Sequence, residues 1–202
     1  MSEGDPVAGY SNLQLDALRE MANVGSGMAG TALSHLVGRS VDISVPKAMA
    51  IPAAEAVEAI GDPEATVTAV MLGIAGELEG IVAMLFAHAD EAALCGLLGV
   101  ETGGELGHSA MCEIGNILGA SYLGALTAMS GMVLEPTPPQ MVTDMLGAIV
   151  ASALVPTVGS LDAALLLDSS LHIEGVACSC SFLLLPTAAS AGELLARLGV
   201  PA

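Results

Sequence analysis

The chain is poor in aromatic residues. It has no tryptophan, two tyrosines and two phenylalanines among 202 residues, although 53% of the residues are hydrophobic. Any core must therefore be assembled from Leu, Val, Ile, Met and Ala, with glycine permitting close approach of backbones. Cations are equally scarce. Four Lys and Arg stand against 22 Asp and Glu, for a formal net charge of −18. Neutralising a phosphate backbone or an anionic lipid surface requires clustered cations, so nucleic-acid binding and membrane-surface attachment are both excluded as expectations.

The amino terminus, MSEGDPVAGYSNLQLD, has neither the basic start nor the apolar stretch of an export signal. The 21 residues from Ile114 to Leu134 carry no formal charge and are long enough to span a bilayer. They include four Gly, an Asn, two Ser, a Thr and a Tyr, and lack flanking cations. A buried amphipathic helix leading into a strand is the better reading, without membrane insertion. The four cysteines, Cys95, Cys112, Cys178 and Cys180, form no CxxC pair and lack histidines at metal-ligand spacing. Free thiols in a reducing cytoplasm are expected, with no metal site. Histidines 35, 88, 108 and 172 are scattered singly.

Against this background one polar pattern occurs twice. Asp16, Glu20 and Asn23 are followed by Pro46, and Ser109, Glu113 and Asn116 by Pro139. In both copies 22 residues (positions 24–45 and 117–138) separate the Asn from the Pro. Positions i, i+4 and i+7 share one stripe of an α-helix. Each triplet therefore projects from one face, while the apolar remainder of the helix turns to a core. One copy alone is better explained by a solvated helix surface. Two copies with their prolines in step argue against coincidence. Ser109 is also a candidate helix cap, and Asp16 a complement to a helix N-terminal dipole.

Other landmarks repeat in the same order: Glu79-Gly80 with Glu174-Gly175, and Leu98-Gly99-Val100 with Leu198-Gly199-Val200. The pattern predicts one domain over 1–202 built from two homologous halves, about 10–100 and 105–200, with Glu101 to Gly107 as the seam. The first half reads as a helix over Leu13–Val37, capped by Ser11 or Asn12 and stopped by Gly38. A strand over Val41–Val45 and a short helix over Ala53–Ile60 follow. Strands over Thr66–Ile74 and Gly80–Phe86 and a helix over Asp90–Leu98 complete it. The second half reads as helix Ser109–Met129, strand Gly131–Glu135, helix Gln140–Leu154, hairpin Ala163–Ile173 with Gly175–Leu185, and helix Ala188–Leu198. The fold class is α+β, with both halves contributing to one sheet about a pseudo-two-fold axis.

The Glu/Asn stripes contain no nucleophile-plus-base pair. They suit a site that positions groups without forming a covalent bond. A carboxamide donates and accepts hydrogen bonds and can hold a water in line with phosphorus, while the carboxylate can pair with a partner's cation. One Glu and one Asn are too few ligands for a metal of the chain's own.

These residues resemble the signature of the CheC, CheX and FliY family of chemotaxis phosphatases: Asp or Ser, three residues, Glu, two residues, Asn, 22 residues, Pro. The resemblance covers nearly the whole chain. It implies two helix-plus-three-strand units sharing a six-stranded, largely antiparallel sheet, with the two motif helices on one side. It implies hydrolysis of the aspartyl phosphate of CheY, a response regulator. Glu20 and Glu113 would pair with the regulator's active-site lysine. Asn23 and Asn116 would enter beside the phosphoryl group and orient the attacking water. Asp16, Ser109, Pro46 and Pro139 would support the sites. No cofactor of the chain's own is implied; Mg2+ would belong to CheY. CheD, a receptor deamidase, is a further partner the family suggests. The alternative is a binding module that docks CheD or phosphorylated CheY with little turnover. Because both this chain and the regulator's pocket are acidic, docking would rest on apolar residues beside the motif, such as Met21, Met28, Ile117 and Tyr122.

Overall fold

The computed structural model describes residues 12–52, 55–154 and 163–197. The elements are α1 (Asn12–Val37), β1 (Val41–Pro52), α2 (Ala56–Ile60), β2 (Thr66–Gly76), β3 (Gly80–Ala87), α3 (His88–Leu97), α4 (Glu105–Ser130), β4 (Leu134–Pro136), β5 (Gln140–Met145), α5 (Leu146–Leu154), β6 (Ala163–Ile173), β7 (Val176–Pro186) and α6 (Ala188–Arg197). Ser11 and residues 53–54 lie outside the described residues, as does the expected last helical residue, Leu198.

All strands join one antiparallel sheet in the order β1-β6-β7-β3-β2-β4, with β5 also on β2. β4 and β5 are two pieces of one broken edge strand, so six strand positions hold seven segments. β3 and β7 meet at the centre, with Leu85 opposite Ser181. The outer strands are exchanged. β1 pairs with β6 rather than with β2, and β4 and β5 pair with β2 rather than with β6.

The period-2 alternation of the strands separates two cores. Val82, Met84 and Phe86 of β3 face a cluster that takes in Leu18 and Met21 of α1, Ile114 and Leu118 of α4, Leu94 of α3 and Leu194 of α6. Ala83 and Leu85 face the other way, toward Ala56 of α2 and Leu146, Ile149 and Val150 of α5. The long helices α1 and α4 thus share one face of the sheet, and they pack on each other. Glycine makes this approach possible. A Cβ on Gly115 would fall 2.4 Å from Cγ1 of Val70, and one on Gly25 would fall 2.5 Å from Cδ1 of Tyr122. With so few aromatics, Tyr122 and Phe182 form one centre of this core, their ring centroids 4.3 Å apart.

Several expected elements differ; the strand expected over Gly131–Glu135 is confined to Leu134–Pro136, because α4 runs on to Ser130 and Gly131 caps it. Residues Gln140 to Met145, expected to open a helix, form β5, paired with β2 from Thr66↔Met145 to Met71↔Gln140. The helix begins only at Leu146, whose N–H is taken by the carbonyl of Ala65. Sheet pairing overrides local preference here. β1 also runs beyond Val45 to Pro52, through Pro46. Gly38 and Gly131 end α1 and α4 at φ of 67° and 71°, the left-handed region that suits glycine. The uncharged run from Ile114 stays helical to Ser130, with much of it buried in the core. Among the described residues no helix is long and apolar enough to cross a membrane.

Candidate functional site

Helical spacing puts the buried residues of α1, among them Leu18, Met21, Ala22, Ala29 and Leu33, on one face. Asp16, Glu20 and Asn23 occupy the opposite face, and all three are exposed. On α4, Ser109 and Glu113 are exposed and Asn116 is half-buried. Among the described residues, no hydrogen-bond or ion-pair partner engages the side chains of Glu20, Asn23, Glu113 or Asn116. Both pairs are therefore presented outward with their hydrogen-bonding capacity unspent.

The Asp/Ser difference between the copies has a local cause. Asp16 accepts an ion-paired hydrogen bond from Arg19 at 2.9 Å. The residue in the place of Arg19 on α4 is Cys112, whose Sγ lies 3.9 Å from Nδ1 of His108. A carboxylate with a cation is replaced by a neutral Ser with a thiol, so each stripe keeps the formal charge of its single Glu. Asp16 pairs with Arg19 and is not in the first turn of α1. Ser109 does not cap α4, which starts four residues earlier with Gly104 at the cap.

The prolines do not end strands; each marks an extra residue in an edge strand. Between Ser44↔Ser170 and Lys47↔Asp168, Val45 and Pro46 stand opposite Ser169 alone. Between Pro136↔Ile74 and Gln140↔Met71, the three residues Thr137, Pro138 and Pro139 stand opposite Leu72 and Gly73. Proline lacks an N–H for the ladder, so an edge bulge is where it fits. Thr137 repairs the second break: its N–H bonds Gly73 O at 2.9 Å and its hydroxyl accepts Gly73 N–H at 2.8 Å. α4 crosses β2 with Gly115 over Val70 and Gly119 over Leu72. Asn116 follows Gly115 on the same helix, between these two contacts in sequence. The first bulge is tied to the helix layer as well, since Ser169 hydrogen-bonds the Tyr122 hydroxyl at 3.1 Å.

Of the expected apolar docking residues, Met21 and Tyr122 are each 1% exposed and cannot reach a partner. Met21 is one residue from Glu20, about 100° around the helix, and so points inward. Met28 is exposed and Ile117 half-buried. Among the described residues no disulfide joins the cysteines, and Cys95, Cys178 and Cys180 are buried. Among the described residues no group of three or more His, Cys, Asp or Glu is arranged to hold a metal ion.

The sequence model of the CheC-like family matches the chain twice, over residues 13–49 and 106–143. Each match spans one complete motif, from Asp16 to Pro46 and from Ser109 to Pro139. The CheY-P phosphatase CheC of Bacillus subtilis is 32% identical over 172 residues, covering 81% of this chain and 82% of that protein. The chain belongs to the CheC-like family. Its fold recurs in Thermotoga maritima FliY, with a TM-score of 0.77 at 18% identity over 95% of this chain and 98% of the other. It recurs again in the FliM middle domain from H. pylori, with a TM-score of 0.69 at 10% identity over 93% and 99%.

Proposed function

We propose that this CheC-like protein is a chemotaxis phosphatase that hydrolyses the aspartyl phosphate of CheY, using Glu20 with Asn23 and Glu113 with Asn116. The observation that carries the reading is the presentation of both Glu/Asn pairs on helix faces with no side-chain partner among the described residues. The relative from B. subtilis, a CheY-P phosphatase, supports the reaction class.

In this reading each site is completed by its substrate. Glu20 or Glu113 pairs with a cation of the regulator and fixes the docking angle. Asn23 or Asn116 enters the phosphorylation pocket, where its amide holds a water in line with phosphorus. The water attacks, the phosphorus–oxygen bond to the aspartyl carboxylate breaks, and inorganic phosphate leaves. Mg2+, expected on CheY and not on this chain, would neutralise phosphoryl charge when bound. The amide supplies positioning, which removes much of the entropic part of the barrier. Pro46 and Pro139 shape the edge-strand backbone beside the two sites. The two halves, about 10–100 and 105–200, then act as one domain offering two sites.

The test is dephosphorylation of phosphorylated CheY by the wild type, Asn23→Ala, Asn116→Ala and the double variant. We expect each single variant to retain the other site's activity and the double variant to lose about 10²-fold or more. A double variant as fast as the wild type refutes the assignment.

A further inference from the structure

Two leucines sit on the exposed stripes where no core requires them. Leu13 is 59% exposed and Leu106 is 71% exposed, the highest value among the exposed large hydrophobic residues described. They occupy the same place in the two copies, three residues before Asp16 and Ser109 and seven before Glu20 and Glu113. Seven residues are two helical turns, so each leucine lies on the stripe of its Glu, about 10 Å toward the helix N-terminus. The repeat therefore reads Leu, Asp or Ser, Glu, Asn along one face.

We infer that Leu13 and Leu106 are the apolar anchors that seat the regulator on each site. The inference rests on the phosphatase reading and adds what it lacks, a source of affinity. A chain of net charge −18 has few cations to steer an acidic partner. A solvent-exposed leucine beside a polar site contributes when a partner covers it, as interface energy concentrates in a few buried anchors. The occupant is the face of the regulator next to its phosphorylation pocket, because the leucine continues the stripe that the Glu/Asn pair presents to that pocket. The anchor stands nearly three turns from the Asn and makes the same contact before and after phosphorus is attacked. It sets binding and leaves the chemical step alone.

The experiment titrates Mg2+- and beryllofluoride-loaded CheY against the full chain as wild type, as Leu13→Ser/Leu106→Ser and as Leu13→Met/Leu106→Met. Turnover of phosphorylated CheY is measured in parallel. The Ser pair is expected to raise Kd and KM about tenfold with kcat unchanged, and the Met pair to stay within about twofold of the wild type. An unchanged Kd in the Ser pair overturns the inference. So does a change in oligomeric state without a change in affinity, which would make the leucines a contact between two copies. A wild type that binds the regulator in a leucine-dependent way without hydrolysing it refutes the phosphatase reading and leaves the anchors standing. A wild type that does not bind refutes both.

Discussion

Asp90 accepts two hydrogen bonds from Ser179, one from the main-chain N–H at 3.2 Å and one from the hydroxyl at 3.1 Å. Asp90 is the third residue of α3, and Ser179 lies on β7, where β3 no longer pairs with it. The same device appears at the opposite end of the central pair. Ser190, the third residue of α6, accepts the N–H of Glu79 at 3.0 Å. Both partners are offset by 100 residues (190 against 90, and 179 against 79). The pseudo-symmetry thus extends to single hydrogen bonds that close the ends of the central strands.

Removing the cap should loosen that end of β7. Asp90→Ala leaves the Ser179 N–H without its acceptor and should cost about 1–2 kcal/mol of stability. Thermal unfolding of Asp90→Ala against the wild type checks this. Hydrogen exchange at Ser179 should speed up in the variant, with the Glu79 amide unaffected.

Glycines at the helix–sheet contact should reverse the usual helix preference. Alanine is favoured over glycine in a helix by about 1 kcal/mol. At Gly115 the added methyl would meet Val70 Cβ at 2.7 Å, an atom anchored to the central backbone. Gly115→Ala should destabilise by about 1–3 kcal/mol through overpacking. Gly96 of α3 has nothing within 4 Å of a built Cβ. Gly96→Ala should be neutral or stabilising by up to about 1 kcal/mol. Paired denaturant titrations read the opposite signs directly.

The long helices, the hairpins and the two Glu/Asn stripes were legible because each has a strong period. Asp16, Glu20 and Asn23 stand on one face by geometry alone. β5 was not legible, because Gln140–Met145 is an exposed edge with a single half-buried residue and no alternation to reveal it. The pairing of β1 with β6 is a long-range choice that no local pattern encodes. Met21 and Tyr122 were misplaced because nearness in sequence to the motif was taken for nearness on the helix face. Leu13 and Leu106, in contrast, carry the same 93-residue offset as the motif.

Alkaline pH should weaken the fold through its buried acids. Burial, with a smaller contribution from Asp90, pushes the Cys178 thiol from 9.0 to about 11. Burial likewise pushes the Tyr122 hydroxyl from 10.0 to about 12, partly opposed by its hydrogen bond to Ser169. Above pH 9 the unfolded chain releases these protons while the folded chain keeps them, so stability falls as pH rises from about 9 toward 11 and 12. Tm measured from pH 7 to 11 should decline beyond pH 9, and less steeply in Cys178→Ala. Native-state alkylation should label Cys112, half-exposed on α4, ahead of buried Cys95, Cys178 and Cys180.

A buried carboxylate holds the outer strand to the sheet. Glu91 is 3% exposed and accepts the Thr68 hydroxyl at 2.7 Å. Thr68 has a single proton, so the 3.0 Å contact between Thr68 and Thr143 must be donated by Thr143. A chain of hydrogen bonds thus runs from β5 through β2 to α3, and His88 Nδ1 stands 3.7 Å from Glu91 Oε2 at its far end. Polarisation along such a chain makes its links interdependent. Glu91→Ala should cost about 1–3 kcal/mol, because it removes the charged acceptor of the buried Thr68 hydroxyl. Glu91→Gln retains a carbonyl acceptor and should cost less. Thr143→Val should cost about 1 kcal/mol alone and more in the Glu91→Ala background, where it removes the last partner of the buried Thr68 hydroxyl. The coupling in that double-mutant cycle should exceed about 0.5 kcal/mol. Strictly additive losses would mean that β5 is held by its ladder with β2 and not by this network.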